Sequence, residues 1–331
     1  MNNYRNYINL VVFMIIVMLS FNINVNPFKT NDEAVFSQLP VLNTEEDPLY
    51  IEIQEKAASY NEEPKDAYID PVWKKTPGRN GRQVDVEASY IRMKKDGNFN
   101  ENLLVYKQIK PKVSLDDLEA APIYRGHPEK QMVSFLINVS WGTEHVPEIL
   151  NILKDHKVKA TFFLEGKWAK DNVDYVKMIL EQGHTIGNHA YNHPDMARLN
   201  RTEIMNQIKD TNDVINAITG GTPKWFAPPS GSFSEEVVLV ADELQMDTIL
   251  WTVDTVDWKN PAVNVMINRV MGKIHPGATI LMHPTPSIVK GLPSLITEIK
   301  EKDYKIGTID KLLSETPFVK HFYFYFILIS H

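Results

Sequence analysis

Val133-Ser134-Phe135-Leu136-Ile137, followed by Val146, Ile149, Leu150 and Leu153 and then by Ala160-Thr161-Phe162-Phe163-Leu164, is the stretch on which the fold is read. The first run is apolar and short, the middle set recurs at three- and four-residue steps, and the last run is apolar again. That is a strand, an amphipathic helix and a second strand. The alternation continues with a helix around Trp168 to Gln182, a strand from Thr185 to Asn188, a helix from Arg201 to Ile218 and a strand at Lys224 to Phe226. A helix from Glu235 to Leu244, a strand from Asp247 to Thr252, a helix across Val263 to Ile274 and a strand at Thr279 to Met282 follow. A helix from Leu292 to Lys302 and a strand at Tyr304 to Gly307 complete the series. Such alternation over residues 130–315 predicts an α/β architecture with parallel strands. These folds collect their chemistry at the C-terminal ends of the strands.

Polar clusters stand at those ends. Asn138-Val139-Ser140-Trp141-Gly142 follows the first strand, and His189 and His193 follow the third. Phe226-Ala227-Pro228-Pro229-Ser230-Gly231 comes next, then Trp251-Thr252-Val253-Asp254-Thr255-Val256-Asp257-Trp258, then Leu281-Met282-His283-Pro284. Two histidines four residues apart can share one divalent cation, although two imidazoles rarely hold zinc without a third ligand. In isolation the pair reads as surface or capping histidines of a loop.

The ordered series, with Lys159-Ala160-Thr161-Phe162-Phe163 as a further hallmark, resembles the polysaccharide deacetylases, carbohydrate esterase family four with its NodB-homology domain. The resemblance covers about Met132 to Leu313. It implies a distorted (β/α) barrel that removes N-acetyl groups from peptidoglycan, chitin or similar glycans with zinc or a similar metal. The family's first motif, Thr-Phe-Asp-Asp-Gly, supplies a general base and then a metal-binding aspartate. Its third, Arg-Pro-Pro-Tyr-Gly, supplies an arginine that orients the base and a backbone donor for the oxyanion. By that resemblance His189 and His193 match the metal histidines and His283 the general acid. Asp254 or Asp257 matches the aspartate that tunes it, and Trp251, Trp258, Leu281, Pro229 and Ser230 line the glycan pocket.

The departures decide what the resemblance can imply. Asn138 stands at the base position, Val139 at the metal aspartate, Ala227 at the arginine and Ser230 at the tyrosine. Counting back from Gly142 without a gap would place Ser140 and Trp141 at the two aspartate positions, and neither is a carboxylate. An amide takes no proton at neutral pH, so Asn138 cannot serve as a general base. Valine has no lone pair for a metal. An arginine facing Asn138 would be a buried unpaired charge costing roughly 3–5 kcal/mol, and Ala227 removes it. The expectation is a family member at the cell envelope, acting on N-acetylated glycan such as peptidoglycan, with its metal-dependent deacetylation lost or impaired. Zinc or a similar metal would bind weakly, or not at all if the protein is inactive. The alternative is a divergent, active deacetylase in which Asp195 or Glu144 completes the metal shell.

The remainder of the 331-residue chain frames this domain. Ile8 to Phe21 is apolar apart from Asn9 and Ser20, and Arg5 precedes it. A basic start before a hydrophobic run marks export, and the apolar stretch from Ile8, extended to Val25, approaches the roughly 20 residues that span a bilayer, so residues 1–25 read as a signal or anchor segment. An uncleaved membrane anchor with an extracytoplasmic domain, or a cleaved signal with secretion to the cell wall, follows. Residues 26–48 read as a linker, 49–120 as a small α+β module, and 316–331 as an apolar aromatic tail. Gly81, Val84-Asp85 and Pro111-Lys112-Val113-Ser114-Leu115-Asp116-Asp117-Leu118 weakly resemble small modules of bacterial envelope proteins read as peptidoglycan-binding; a spacer without its own ligand fits as well. Cysteine is absent, which excludes disulfide scaffolds, thiolate zinc sites and cysteine nucleophiles. The net charge of −7 argues against nucleic acid as a partner.

Overall fold

The structure, a computed structural model, describes residues 47–316. The anchor segment, nearly all of the linker and nearly all of the aromatic tail lie outside them. Among the described residues no helix is long and apolar enough to cross a membrane. The chain forms two compact units, one of residues 47–57 with 86–105, the other of 58–85 with 106–316.

In the first unit, α1 (Pro48–Tyr60), of which residues 48–57 belong here, and α2 (Val86–Met93) are pinned by Tyr90. Its hydroxyl donates to Asp47 Oδ2 at 2.7 Å and its ring meets that of Tyr50 edge-on at 5.6 Å. Tyr50-Ile51-Glu52-Ile53, which suited a strand or a helix start, is helical. In the second unit β1 (Tyr68–Asp70) pairs antiparallel with β2 (Lys74–Thr76), and β3 (Gly81–Val84) with β4 (Tyr106–Ile109). Elements read from sequence as one module over 49–120 are thus shared between the two units.

The rest of the second unit is the alternating series. Its parallel strands are β5 (Met132–Val139), β6 (Thr161–Leu164), β7 (Thr185–Asn188), β8 (Trp225–Phe226), β9 (Asp247–Thr248), β10 (Val253–Asp254), β11 (Thr279–Met282) and β12 (Lys305–Gly307). They form one curled sheet in the order β10-β11-β5-β6-β7-β8-β9, with β12 also on β5. The architecture is the (β/α) barrel of the NodB-homology type expected from sequence. Every residue of β5 is buried, as a strand covered on both faces must be. Phe135, Ile137 and Val139 face an outer core with α3 (Val146–Asp155) and its neighbours, whereas Met132 and Leu136 pack with Phe163 and Ala227 in the barrel interior.

Three departures have local causes. The helix expected across Trp168 to Gln182 divides at Asn172, whose side-chain amide donates to the Trp168 carbonyl, into α4 (Gly166–Asp171) and α5 (Val173–Glu181). The strand expected from Asp247 to Thr252 stops at Thr248, because the next backbone groups turn to Ile123: Leu250 N–H donates to the Ile123 carbonyl at 2.8 Å. The last long helix, read as beginning at Leu292, begins at Pro286, where Thr285 Oγ1 accepts the Ile288 N–H and proline suits the first turn. Gly291, a breaker by sequence, lies where a Cβ would come within 2.6 Å of Met266 Cε; it lets two helices approach.

Candidate functional site

The pleat of β5 decides what the first motif does. Side chains alternate along a strand, so Asn138 shares the interior face with Leu136 and Val139 shares the outer face with Ile137. Asn138 is 3% exposed and its Oδ1 has no hydrogen-bond partner. Val139 is fully buried in the outer apolar core. Neither residue offers an anion to the site.

The histidines come from the end of β7. His189 continues the parallel ladder, its N–H donating to the Leu164 carbonyl at 3.0 Å. Its Nδ1 lies 2.7 Å from the Ala227 carbonyl, so Nδ1 carries the proton and Nε2 the lone pair. Burial pushes its pKa down to about 3, with His193 adding to the shift, and the ring stays neutral at physiological pH. His193 has a left-handed backbone (φ 57°) and its ring stands edge-on to that of His189, centroids 5.2 Å apart. Burial also lowers the His193 pKa.

This donor set does not fit the family's metal site. Among the described residues no three His, Cys, Asp or Glu side chains are grouped to hold a metal ion. Both substitute carboxylates are engaged elsewhere: Asp195 with the Ser232 hydroxyl and Arg198, and Glu144 beside His145 at 3.6 Å. The expectation that Asp195 or Glu144 completes the shell is corrected accordingly.

The opposite wall is fully connected. Of the two aspartates, Asp257 is bonded to His283: Oδ1 accepts from Nδ1 at 3.0 Å and Oδ2 from the His283 backbone N–H at 2.8 Å. Thr255 donates to Oδ1 at 2.9 Å and Thr285 to Oδ2 at 3.1 Å. The carboxylate is completely buried, and its four donors offset the desolvation of its charge. Asp254 instead accepts the Val256 N–H at 2.8 Å and shapes the turn. That turn is strained: Val256 (φ 54°) and Asn260 (φ 51°) are both left-handed. It buries Asp257 and leaves Trp258 53% exposed. Such outliers cost on the order of 1–3 kcal/mol and gather at functional sites.

The third motif keeps its shape without its arginine. Pro229 is buried, Ser230 is left-handed (φ 55°), and a Cβ on Gly231 would press within 2.9 Å of Trp251. Leu281 lies buried at the end of β11. Two residues close to strand ends were given no functional role by the sequence reading. Trp141, 46% exposed, stacks on His283 with centroids 5.9 Å apart and planes at 12°. Its neighbour Gly142 (φ 73°) could carry no side chain, since a Cβ would fall 2.1 Å from the Pro284 carbonyl. Glu165, 9% exposed at the end of β6, has its carboxyl pushed up by burial, opposed by Lys167 and a hydrogen bond from Ser140. Proximity of Trp141 and Glu165 to strand ends was the available signal for both.

A buried carboxylate gripping a histidine at the strand ends, facing two histidines across the barrel mouth, is the site of this family. The chain belongs to the polysaccharide deacetylase family, whose sequence pattern matches residues 125–249. It is 48% identical over 318 residues to the uncharacterized protein YlxY of Bacillus subtilis, covering 96% of this chain and all of that one. A peptidoglycan-N-acetylglucosamine deacetylase of Bacillus cereus is 37% identical over 194 residues, 57% of this chain and 70% of that protein. Among solved structures, a CE4 family pseudoenzyme from Bacillus anthracis superposes with a TM-score of 0.78 at 54% identity, over 82% of this chain and 96% of that one. A mutant of that pseudoenzyme, described as having restored enzymatic activity, also superposes at 0.78, with 53% identity over 82% of this chain and 99% of that one.

Proposed function

We propose that the protein is a deacetylase-family member without effective turnover, which binds N-acetylated glycan, peptidoglycan above all, at the cell envelope. The observation that carries this reading is the split site: Asp257 and His283 are fully assembled, while Asn138, Val139 and Ala227 supply no base, no metal anion and no arginine. The similarity to peptidoglycan deacetylases and to a pseudoenzyme supports it. Retained His189, His193, Trp251, Trp258, Leu281, Pro229 and Ser230 would line the glycan cleft. Membrane attachment through residues 1–25 and a wall-binding role for the 49–120 region belong to the same proposal.

Zinc content and acetate release from N-acetylated chito-oligosaccharide and peptidoglycan test it, with His189→Ala alongside. No release is expected; metal-dependent release abolished by His189→Ala overturns the reading. Combining Asn138→Asp, Val139→Asp and Ala227→Arg rebuilds the family's pattern. Because Val139 packs in the outer apolar core, the end of β5 must turn to bring the new carboxylate to the histidines. The metal-free triple variant should therefore melt below the parent and recover stability on binding zinc; a variant that binds no zinc overturns this account of what was lost.

A further inference from the structure

Asn138 does more than fail as a base. Its Oδ1 is a buried acceptor without a partner, on the interior face of β5, one residue from the C-terminal end of the strand. A buried acceptor left unpaired is costly, and a donor arriving from outside would relieve that cost. Three residues on, Trp141 holds a large apolar ring half in solvent, parallel to His283. Gly142, pressed against the Pro284 carbonyl, fixes that loop and with it the indole. Three residues of chain reach at most about 11 Å, so the two groups can meet one or two adjacent sugar units. Aromatic faces bind the apolar faces of flat rings, and an amide carbonyl takes an N–H.

We propose that Asn138 and Trp141 form an acetamido-sugar recognition element, Asn138 Oδ1 accepting the acetamido N–H while the Trp141 indole stacks on a neighbouring pyranose ring. This rests on the glycan-binding reading above and assigns the base position a recognition role in its place. Asn138→Leu separates the two, since it removes the acceptor while keeping the branched shape of the side chain. A residue that only fills the barrel would lose stability on that change. An orphan acceptor should instead leave folding unaffected or improved, while affinity falls.

The test is calorimetric titration of the full chain with the N-acetylglucosamine trimer and with cellotriose, together with denaturant unfolding. Asn138→Leu should weaken the acetylated trimer about tenfold at unchanged or higher stability, and Asn138→Asp, which keeps an acceptor, should stay within about threefold of the parent. Trp141→Ala should cost about tenfold and reduce the tryptophan fluorescence change on binding. Cellotriose binding as tightly as the acetylated trimer, or trimer binding indifferent to both Asn138→Leu and Trp141→Ala, overturns the inference and leaves glycan binding standing. No binding of the trimer or of peptidoglycan by the parent protein overturns the reading beneath it.

Discussion

Asp257 shows how much a single residue holds in this site. It is wholly buried and takes hydrogen bonds from His283 twice, Thr255 and Thr285. Asp257→Ala would strand two hydroxyls, a backbone N–H and an imidazole, and is expected to lower unfolding free energy by about 3 kcal/mol in urea titration. Asp257→Asn keeps shape and half the acceptor capacity, so it should cost less than half as much. At the same scale, Asn138 and Ala227 form a neutral pair where the family has a charged one. An amide next to an alanine leaves no buried charge unpaired, which is why the loss of catalytic groups is compatible with a well-packed barrel.

Five of the nine non-glycine left-handed residues among those described gather in loops after strands; the other four are Lys74, Lys157, Gln245 and Asp303. Ala190, His193, Ser230, Val256 and Asn260 are all left-handed without being glycine, and all lie in loops that follow β7, β8 or β10. The loop after β5 meets its constraint with glycine instead. Gly142→Ala would combine a disfavoured φ of 73° with overlap on the Pro284 carbonyl at 2.1 Å, so a loss of about 2–4 kcal/mol is expected in chemical denaturation. The same change should raise the solvent exposure of Trp141 and red-shift tryptophan emission. Val256→Gly works the other way. Relief of a β-branched residue from the left-handed region is worth about 1–2 kcal/mol, partly cancelled by the flexibility glycine adds to the unfolded chain. Its melting temperature should equal or modestly exceed the parent's.

Across the molecule, buried histidines tie stability to pH. Burial lowers the pKa of His184 and of His127 to about 4 each, from the ordinary 6.5. Between pH 6.5 and 4 the unfolded chain binds protons that the folded chain does not, so stability present at neutral pH is lost as pH falls through that window. The loss should be on the order of 3 kcal/mol for each histidine. His184→Gln, tested by urea unfolding at pH 7 and pH 4.5, should shrink the difference between the two pH values; an unchanged difference would exclude His184 as a source.

What the sequence determined by itself was the architecture, the order of the five polar clusters and the chemical character of each position. Apolar periodicity is local, and the identities of Asn138, Val139 and Ala227 need no coordinates to exclude a base, a metal anion and a cation. Packing decided the rest. Whether Asp254 or Asp257 bonds His283 depends on a turn whose left-handed residues no propensity anticipates. Whether Asp195 or Glu144 could stand in for the lost ligand depends on which partners lie nearest in space. The start of the last long helix at Pro286 depended on a threonine cap and a glycine contact, both masked by residues that read as breakers. The stacking of Trp141 on His283 joins residues far apart in sequence that follow neighbouring strands, and the unpartnered Oδ1 of Asn138 is a fact of packing alone. Such relations exist only once the sheet has curled and the pleat of β5 has sent neighbouring side chains to opposite faces.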